Sequence, residues 1–278
     1  MSKYKSKALF YEILMYLMLC IIGITTLFPL LWMLATSLKE SNADISNLSA
    51  VIPQKAHWEN YKTVFAETSF LRAFLNSAFV TISVTVGQVF TSSLAAYAFA
   101  RMKFFGRNQI FLGYLGTLMI PGAVTMIPTF IILRNLGCIN SYSALILPSM
   151  FSAYGTFMLR QFFLSLPRDL EEAAMIDGCD SWLIYVNVIL PLSRNALITL
   201  FILTFMGSWK SFMWPLIVSH STDLYTLPIA LAKFKEMFGT QWSLLMAGSV
   251  IMILPMLIIF IVGQKFFTKG IALGAVKG

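Results

Sequence analysis

Long apolar runs separated by shorter polar connections make up most of the chain. A helix needs about 20 apolar residues to cross a bilayer, and five uncharged runs exceed that length. A sixth run is long enough but carries one charge, Lys210. The pattern therefore predicts six transmembrane helices, at residues 13–38, 73–100, 108–133, 135–159, 195–218 and 237–264.

The runs are continuously apolar and lack the two-residue alternation of barrel strands, so we expect an all-α integral membrane protein. Composition agrees with this reading: of 278 residues, 58% are apolar and 12% are charged, and the mean hydropathy is +0.77. An average soluble domain carries about 25% charged residues, so a soluble globular enzyme is excluded. The net charge of +8 is scattered between the runs, which is typical of membrane loops and does not indicate a nucleic-acid partner.

Basic residues set the expected orientation, because short cytoplasmic loops are enriched in Lys and Arg. With both termini inside, most of the 20 Lys and Arg residues lie on the cytoplasmic side. Two connections are then longer than the others. Residues 39–72 form a long extracytoplasmic loop, and residues 160–194 form a cytoplasmic loop.

The cytoplasmic loop contains the start and stop signals of two short helices. Asp169 and Glu172 have capping-box spacing, which predicts a helix start. Gly178 suits the left-handed position that follows a helix end. Asp180 or Ser181 can cap a second helix, which Pro191 then stops or kinks.

Within this loop, the order Glu172-Ala173-Ala174, Gly178 and Leu190-Pro191 resembles the EAA signature of ATP-binding-cassette (ABC) importer permeases. Val188 departs from the signature, because the family more often has isoleucine there. We call residues 160–194 the EAA segment. The similarity extends from about Thr26 to the end of the chain and is to the maltose-type, MalG-like carbohydrate permeases. Matching segments include residues 76–77, 95–101, 104–107, 119–121, 214–216, 226–228 and 274–278.

The resemblance implies one permease domain over residues 1–278, with the type I ABC importer fold, in the cytoplasmic membrane of a bacterium. It also implies a second permease, giving a heterodimer or, as the alternative, a homodimer. Two copies of a cytoplasmic ABC ATPase and an extracytoplasmic solute-binding protein complete the expected assembly. The chain has no Gly-x-x-x-x-Gly-Lys-Ser/Thr phosphate loop, so we expect ATP and Mg on the partner ATPase and no cofactor on this chain.

By the same resemblance, the EAA segment docks on the ATPase and transmits its opening and closing to the spans. Two glutamates are expected to supply exposed charges, two alanines to allow close packing, and Gly178 to let two helices meet at an angle. The expected coupling residues are Glu171, Glu172, Ala173, Ala174, Asp177, Gly178, Leu190 and Pro191.

Six polar or aromatic residues are candidates for the substrate path, each with a second interpretation. Lys210 lies well inside a span and either faces the path or snorkels to the interface. Aromatic residues beside it either stack on a sugar ring or belong to the interfacial belt. Polar residues of the second span either line the path or hold helices together. The candidates are Asn76, Ser77, Gln88, Trp209, Lys210 and Trp214.

The sequence leaves two alternatives to a carbohydrate ABC permease open. A secondary, ion-coupled transporter predicts paired intramembrane carboxylates, which these spans lack, and does not explain the EAA segment. An ABC permease for a non-sugar solute such as glycerol phosphate shares every feature above. An intramembrane enzyme is not expected, because His57 and His220 lie in connections without the partner spacing of a metal site or a catalytic triad.

Overall fold

The computed structural model describes residues 2–40, 53, 55–66, 68–238 and 241–275, and it is helical. The predicted outer loop at 39–72 lies partly outside the described residues, as do residues 276–278. The helices are α1 (Ser2–Ser37), α2 (Glu59–Ala66), α3 (Thr68–Arg101), α4 (Arg107–Gly116), α5 (Gly122–Asn135), α6 (Tyr142–Ile146), α7 (Ala153–Ser165), α8 (Asp169–Ile176), α9 (Ser181–Ile184), α10 (Leu190–Leu192), α11 (Arg194–Trp209), α12 (Met213–Val218), α13 (Leu227–Phe238) and α14 (Trp242–Ala275).

Three of these helices are long and apolar enough to cross a membrane on their own, through Phe10–Ser37, Ser69–Arg101 and Trp242–Phe266. Two bent pairs meet the same test. Arg107–Met119 and Gly122–Asn135 form one pair, bent by 102°. Ser181–Leu192 and Arg194–Trp209 form the other, bent by 76°. The described residues therefore hold three to five candidate spans.

Local sequence explains why some predicted spans are divided. The run at 108–133 bends where Pro121, which cannot donate a backbone hydrogen bond, precedes α5. The run at 135–159 contains α6, a 3-10 turn at Leu147–Met150 that includes Pro148, and the first part of α7. Hydrophobicity alone predicted continuous helices here. The helices are broken because Pro121 and Pro148 have no backbone N–H to donate.

The chain divides into two compact units, one of which comprises Met1–Phe70 and Leu231–Ile253. In this unit α2 fixes the end of α1. The buried amide of Asn60 donates to the carbonyl oxygens of Ser37 at 2.9 Å and Lys39 at 2.7 Å, and the Ser37 hydroxyl bonds Tyr61 at 2.7 Å. By contrast, the apolar window within Phe10–Ser37 is 0% buried, so its hydrophobic surface is uncovered in the single chain.

The other unit comprises Leu71–Ala230 and Leu254–Gly278, and α3 runs through its core. Near the C-terminal end of α3, Ala96, Tyr97 and Ala100 pack with α7, α9 and α11 in one buried cluster. Near its middle, Val80 and Val84 pack in a second cluster with Leu145. One helix thus contributes to both of these apolar clusters.

Gly155 of α7 approaches α3 and α11 closely beside the first cluster. A Cβ atom there would lie 2.7 Å from the Ser92 hydroxyl and 3.3 Å from Leu200. We expect Gly155→Ala to lower the free energy of unfolding by about 1–3 kcal/mol, because overpacking forces these short side chains to shift. Thermal unfolding of the detergent-solubilised protein measures the effect.

Gly113→Ala is the matched control. Gly113 is also helical, but nothing lies within 4 Å of its added Cβ, so alanine should be neutral or slightly stabilising. Equal melting temperatures for the two variants would contradict this account of the packing.

Candidate functional site

Within the EAA segment, the two short helices α8 and α9 are joined by a left-handed turn at Gly178. Gly178 has φ +84, a conformation that glycine adopts without the strain a Cβ causes. Its N–H donates to the Met175 carbonyl at 3.0 Å, and the Cys179 N–H donates to the Ala174 carbonyl at 2.9 Å. These two bonds are the Schellman pattern that ends a helix. The predicted helix, glycine break and second helix are therefore present.

The capping box predicted at the start of this helix is wrong. Arg168 occupies the N-cap position in a helical conformation, and it makes no side-chain cap hydrogen bond. Asp169 is already the first helical residue, and the Arg168 carbonyl accepts from the N–H groups of Glu171 and Glu172. The predicted spacing fails because the backbone turns into the helix one residue early, so no Asp169 cap is available.

Glu171 is also not the exposed charge that the sequence suggested. Its Oε1 lies 2.8 Å from the Arg101 Nε, and the two side chains are 9% and 4% exposed. The contact is an ion pair, since neither atom makes a hydrogen bond among the described residues. The Arg101 Nη2 also donates to the carbonyls of Phe163 at 2.7 Å and Leu166 at 2.8 Å. Arg101 therefore binds the start of α8 and the end of α7 to the end of α3.

The outward face of the EAA segment carries the remaining predicted coupling residues of α8. Glu172, Ala173 and Asp177 are exposed, and Ala174 is half-buried. Three large apolar side chains accompany them, and sequence reasoning missed all three: Met175 is 56% exposed, Ile176 is 87% exposed and Trp182 is 56% exposed. Ile176 lies at the end of a short helix, directly before Asp177 and Gly178. An apolar residue in such a polar setting could have indicated an exposed apolar side chain.

The second half of the segment behaves largely as predicted. The Asp180 carboxylate accepts from the Leu183 N–H at 2.8 Å and caps α9. A π-helical stretch, Tyr185–Ile189, follows, and then α10 with Pro191 near its start. The chain bends by 76° between Leu192 and Arg194. Leu190 and Pro191 therefore lie directly before the bend that leads into α11.

A cavity of about 250 Å³ lies in the unit built from residues 71–230 and 254–278. Its lining is rich in hydroxyl groups, and the described residues that line it carry no charge. They are Ser77, Val80, Thr81, Val84, Gln88, Leu145, Ser149, Thr204, Gly207, Ser208, Ser211, Trp214, Pro215 and Thr226. Five of them belong to α3, at the helical spacing that puts them on one face.

Three of the six predicted path residues line this cavity, and each also makes a structural bond. The Ser77 hydroxyl accepts from the Leu227 N–H at 2.7 Å. The Gln88 amide donates to the Thr204 hydroxyl at 2.8 Å, and the Trp214 indole donates to the Ala144 carbonyl at 3.0 Å. Thr204, Ser208 and Ser211 were not predicted, although small polar residues recurring at helical spacing in an apolar run were a usable signal.

The other three predicted path residues are absent from the cavity lining. The Asn76 amide donates to the carbonyls of Asp223 at 2.8 Å and Tyr225 at 3.0 Å, and its oxygen accepts from Tyr142. Trp209 is buried and stacks on Phe205 with centroids 5.8 Å apart. Lys210 is exposed. The contacts of Asn76 and Trp209 hold parts of the chain together. For Asn76, this is the second of the two interpretations that the sequence allowed.

The buried ion pair gives a stability prediction. Glu171→Ala leaves the Arg101 charge buried without its carboxylate, so we expect the free energy of unfolding to fall by about 3 kcal/mol. Glu172→Ala, one residue away but exposed, should change it by less than about 0.5 kcal/mol. Thermal unfolding of the purified variants compares them, and the same loss for both would show that the pair is not a stabilising contact.

Comparison with known proteins places the chain in a family. Residues 4–272 match the family described as "Binding-protein-dependent transport system inner membrane component". The arabinooligosaccharides transport system permease protein AraQ of Bacillus subtilis is 37% identical over 272 residues, covering 96% of both chains. The sn-glycerol-3-phosphate transport system permease protein UgpE of Yersinia pestis is 33% identical, covering 94% of this chain and 95% of its own.

The fold also matches a solved structure. A chain of a bacterial ABC transporter involved in the import of the acidic polysaccharide alginate superposes with a TM-score of 0.84. The two are 23% identical, and the match covers 92% of this chain and 96% of that one. The resemblance inferred from the EAA segment is thereby confirmed: the chain is a multi-pass permease of the binding-protein-dependent transport family, and within it belongs with the maltose-type carbohydrate ABC permeases.

Proposed function

We propose that this chain and a second permease form the translocation path of an ABC importer for a di- or oligosaccharide in a bacterial cytoplasmic membrane. ATP binding and hydrolysis, with Mg, belong to two copies of a separate ATPase. The observation that carries the proposal is the end-to-end similarity, at 37% identity, to a permease named for arabinooligosaccharides. The exposed face of the EAA segment is the part of the chain that would receive the ATPase.

The cavity chemistry favours a neutral sugar over glycerol phosphate. Seven of the described lining side chains offer hydroxyl groups, which match the hydroxyls of a carbohydrate. A phosphate is usually held by Arg, Lys or backbone N–H groups at a helix start, and no Arg or Lys is among these lining residues. Glycerol 3-phosphate is the second candidate substrate, because UgpE, a permease named for it, is 33% identical to this chain.

The proposed topology has six spans with both termini inside. Three continuous helices, the bent pair Arg107–Met119 and Gly122–Asn135, and the Arg194–Trp209 arm of the second pair would supply five spans. The segment from α6 to α7 would supply the sixth within the assembled transporter. This topology puts the EAA segment in the cytoplasm. It puts the 39–72 loop and residues 219–242 outside, where a solute-binding protein would deliver the sugar.

A second permease is proposed because this chain alone provides little room. Its cavity of about 250 Å³ is smaller than the roughly 300–1,000 Å³ of typical ligand sites. The apolar surface of α1, uncovered in the single chain, also needs lipid or a partner helix around it. A heterodimer fits the maltose-type relationship, and the substrate contacts would then be shared between the two permeases.

The exposed residues of α8 and α9 would form the ATPase contact. Apolar side chains surrounded by charged ones are typical of protein interfaces, and Met175, Ile176 and Trp182 stand beside Glu172 and Asp177 in this arrangement. Ala173 allows a close approach. Glu171 would act inside the chain, through its contact with Arg101, and not on the ATPase directly.

Reconstitution of the complete transporter tests the proposed function. The complex of this chain with its partner permease, ATPase and binding protein is placed in liposomes and given labelled arabino-oligosaccharides, maltodextrins or glycerol 3-phosphate. We expect ATP-dependent uptake of an oligosaccharide and none of glycerol 3-phosphate. Uptake of glycerol 3-phosphate alone, or uptake that ATP does not drive, would contradict the proposal.

Gly178 gives a coupling prediction in the same assay. A β-branched residue in the left-handed conformation costs roughly 1–2 kcal/mol, so Gly178→Val should change the angle between α8 and α9. We expect an assembled complex that hydrolyses ATP but imports solute about tenfold more slowly. Gly178→Asn is the control, because asparagine tolerates this conformation and no neighbour lies within 4 Å of an added Cβ. Normal uptake by Gly178→Val would refute the coupling role.

A further inference from the structure

Three polar side chains at four-residue intervals on α3 each contact a different part of the EAA segment or the helix before it. They are Ser93, Tyr97 and Arg101, which we call the α3 anchor. Residues four apart lie on one face of a helix, so the three side chains form a row along the last turns of α3. The row belongs to the compact unit that holds residues 71–230.

Each member of the α3 anchor makes a short, buried or part-buried bond. The Ser93 hydroxyl donates to the Phe90 carbonyl at 2.9 Å, which leaves it to accept from the Tyr185 hydroxyl at 2.7 Å. The Tyr97 hydroxyl donates to the Ser181 carbonyl at 3.0 Å. Arg101 pairs with Glu171 at 2.8 Å. The row thus reaches the π-helical stretch, the start of α9 and the start of α8.

Apolar packing alone would not fix the register of the EAA segment against α3. The rings of Tyr97 and Tyr185 also contact each other in a tilted arrangement, with centroids 5.1 Å apart, but ring contacts tolerate sliding more readily than hydrogen bonds do. Two hydrogen bonds and one buried ion pair, each to a different place on the segment, favour a single register. The EAA segment and α3 are therefore fastened together at both halves of the segment.

The same helix lines the cavity along its middle. Ser77 and Arg101 are 24 residues apart, or about 36 Å of helix at 1.5 Å per residue. Proline is absent from α3, whereas α1 contains Pro29 and α14 contains Pro255. An uninterrupted helix moves as one piece, so a displacement at Arg101 is carried to the cavity-lining residues.

We propose that the α3 anchor is the connection through which movement of the EAA segment reaches the cavity, with Ser93, Tyr97 and Arg101 as positioning residues. This inference rests on the proposed function, since it assumes that a partner ATPase moves the EAA segment. It adds the specific path inside this chain: from α8 and α9 through α3 to Gln88, Thr81 and Ser77.

The test removes hydroxyl groups while it keeps side-chain shape. The double variant Ser93→Ala, Tyr97→Phe loses two anchor bonds but retains the aromatic contact with Tyr185. The matched control is Ser165→Ala, Tyr154→Phe, which removes the same two groups from α7, where Ser165 bonds only the local Phe162 carbonyl among the described contacts and Tyr154 is half exposed. The complete reconstituted transporter is used, and solute imported per ATP hydrolysed is measured.

We expect the anchor variant to assemble and hydrolyse ATP at a rate near that of the wild type, but to import about fivefold less solute per ATP. The control variant should keep the wild-type ratio. An anchor variant with an unchanged ratio, or one in which hydrolysis and import fall in proportion, overturns the anchor while leaving the proposed function intact. A wild-type complex that imports no solute overturns the proposed function and the anchor with it.

Arg101→Lys provides a second measurement. Lysine keeps the charge beside Glu171 but cannot hold Glu171 and the carbonyls of Phe163 and Leu166 at once with the planar guanidinium fork. We expect an intermediate ratio of solute to ATP, between the wild type and the double variant. A ratio equal to that of the wild type would show that the charge alone suffices and would overturn the positioning role of Arg101.

Discussion

The charge of a buried carboxylate must be balanced by a nearby positive charge. In this protein, the pairing of Glu171 with Arg101 fixes the position of the EAA segment. Glu171 and Arg101 are both almost entirely removed from solvent, and each is the other's ion-pair partner. Removing a charge from water costs several kcal/mol unless such a partner is placed correctly. Because Arg101 also holds the end of α7, one side chain determines the mutual positions of α3, α7 and α8.

This arrangement separates two tasks along a single polypeptide. The outward face of α8 and α9 carries the exposed apolar side chains of Met175, Ile176 and Trp182. The inward face contacts the C-terminal part of α3, and the middle of α3 lines a cavity whose described lining is uncharged and rich in hydroxyl groups. In the proposed mechanism, a movement that the partner ATPase imposes on α8 and α9 would reach the cavity through α3.

The sequence predicted the membrane class, the family and the helix-glycine-helix pattern, because each depends on local signals. Apolar runs reveal membrane helices, and Gly178 and Asp180 have conformations or bonds set by their immediate neighbours. Breaks inside apolar runs, as at Pro121, were missed because hydropathy averages over them. The role of Glu171 was missed for a different reason: its partner Arg101 is 70 residues away in the sequence, and no local pattern shows which of two adjacent glutamates faces inward.

The distance between α8 and the middle of α3 during transport tests the central claim most directly. Met175 and Val86 are exposed, so spin labels at both positions can report that distance in the reconstituted transporter, with and without ATP. If the two elements move as one body, the distance distribution stays the same while labels on the two ATPase copies change their separation with ATP. A nucleotide-dependent change between Met175 and Val86 well beyond the about 1–2 Å of local helix adjustment would contradict the account.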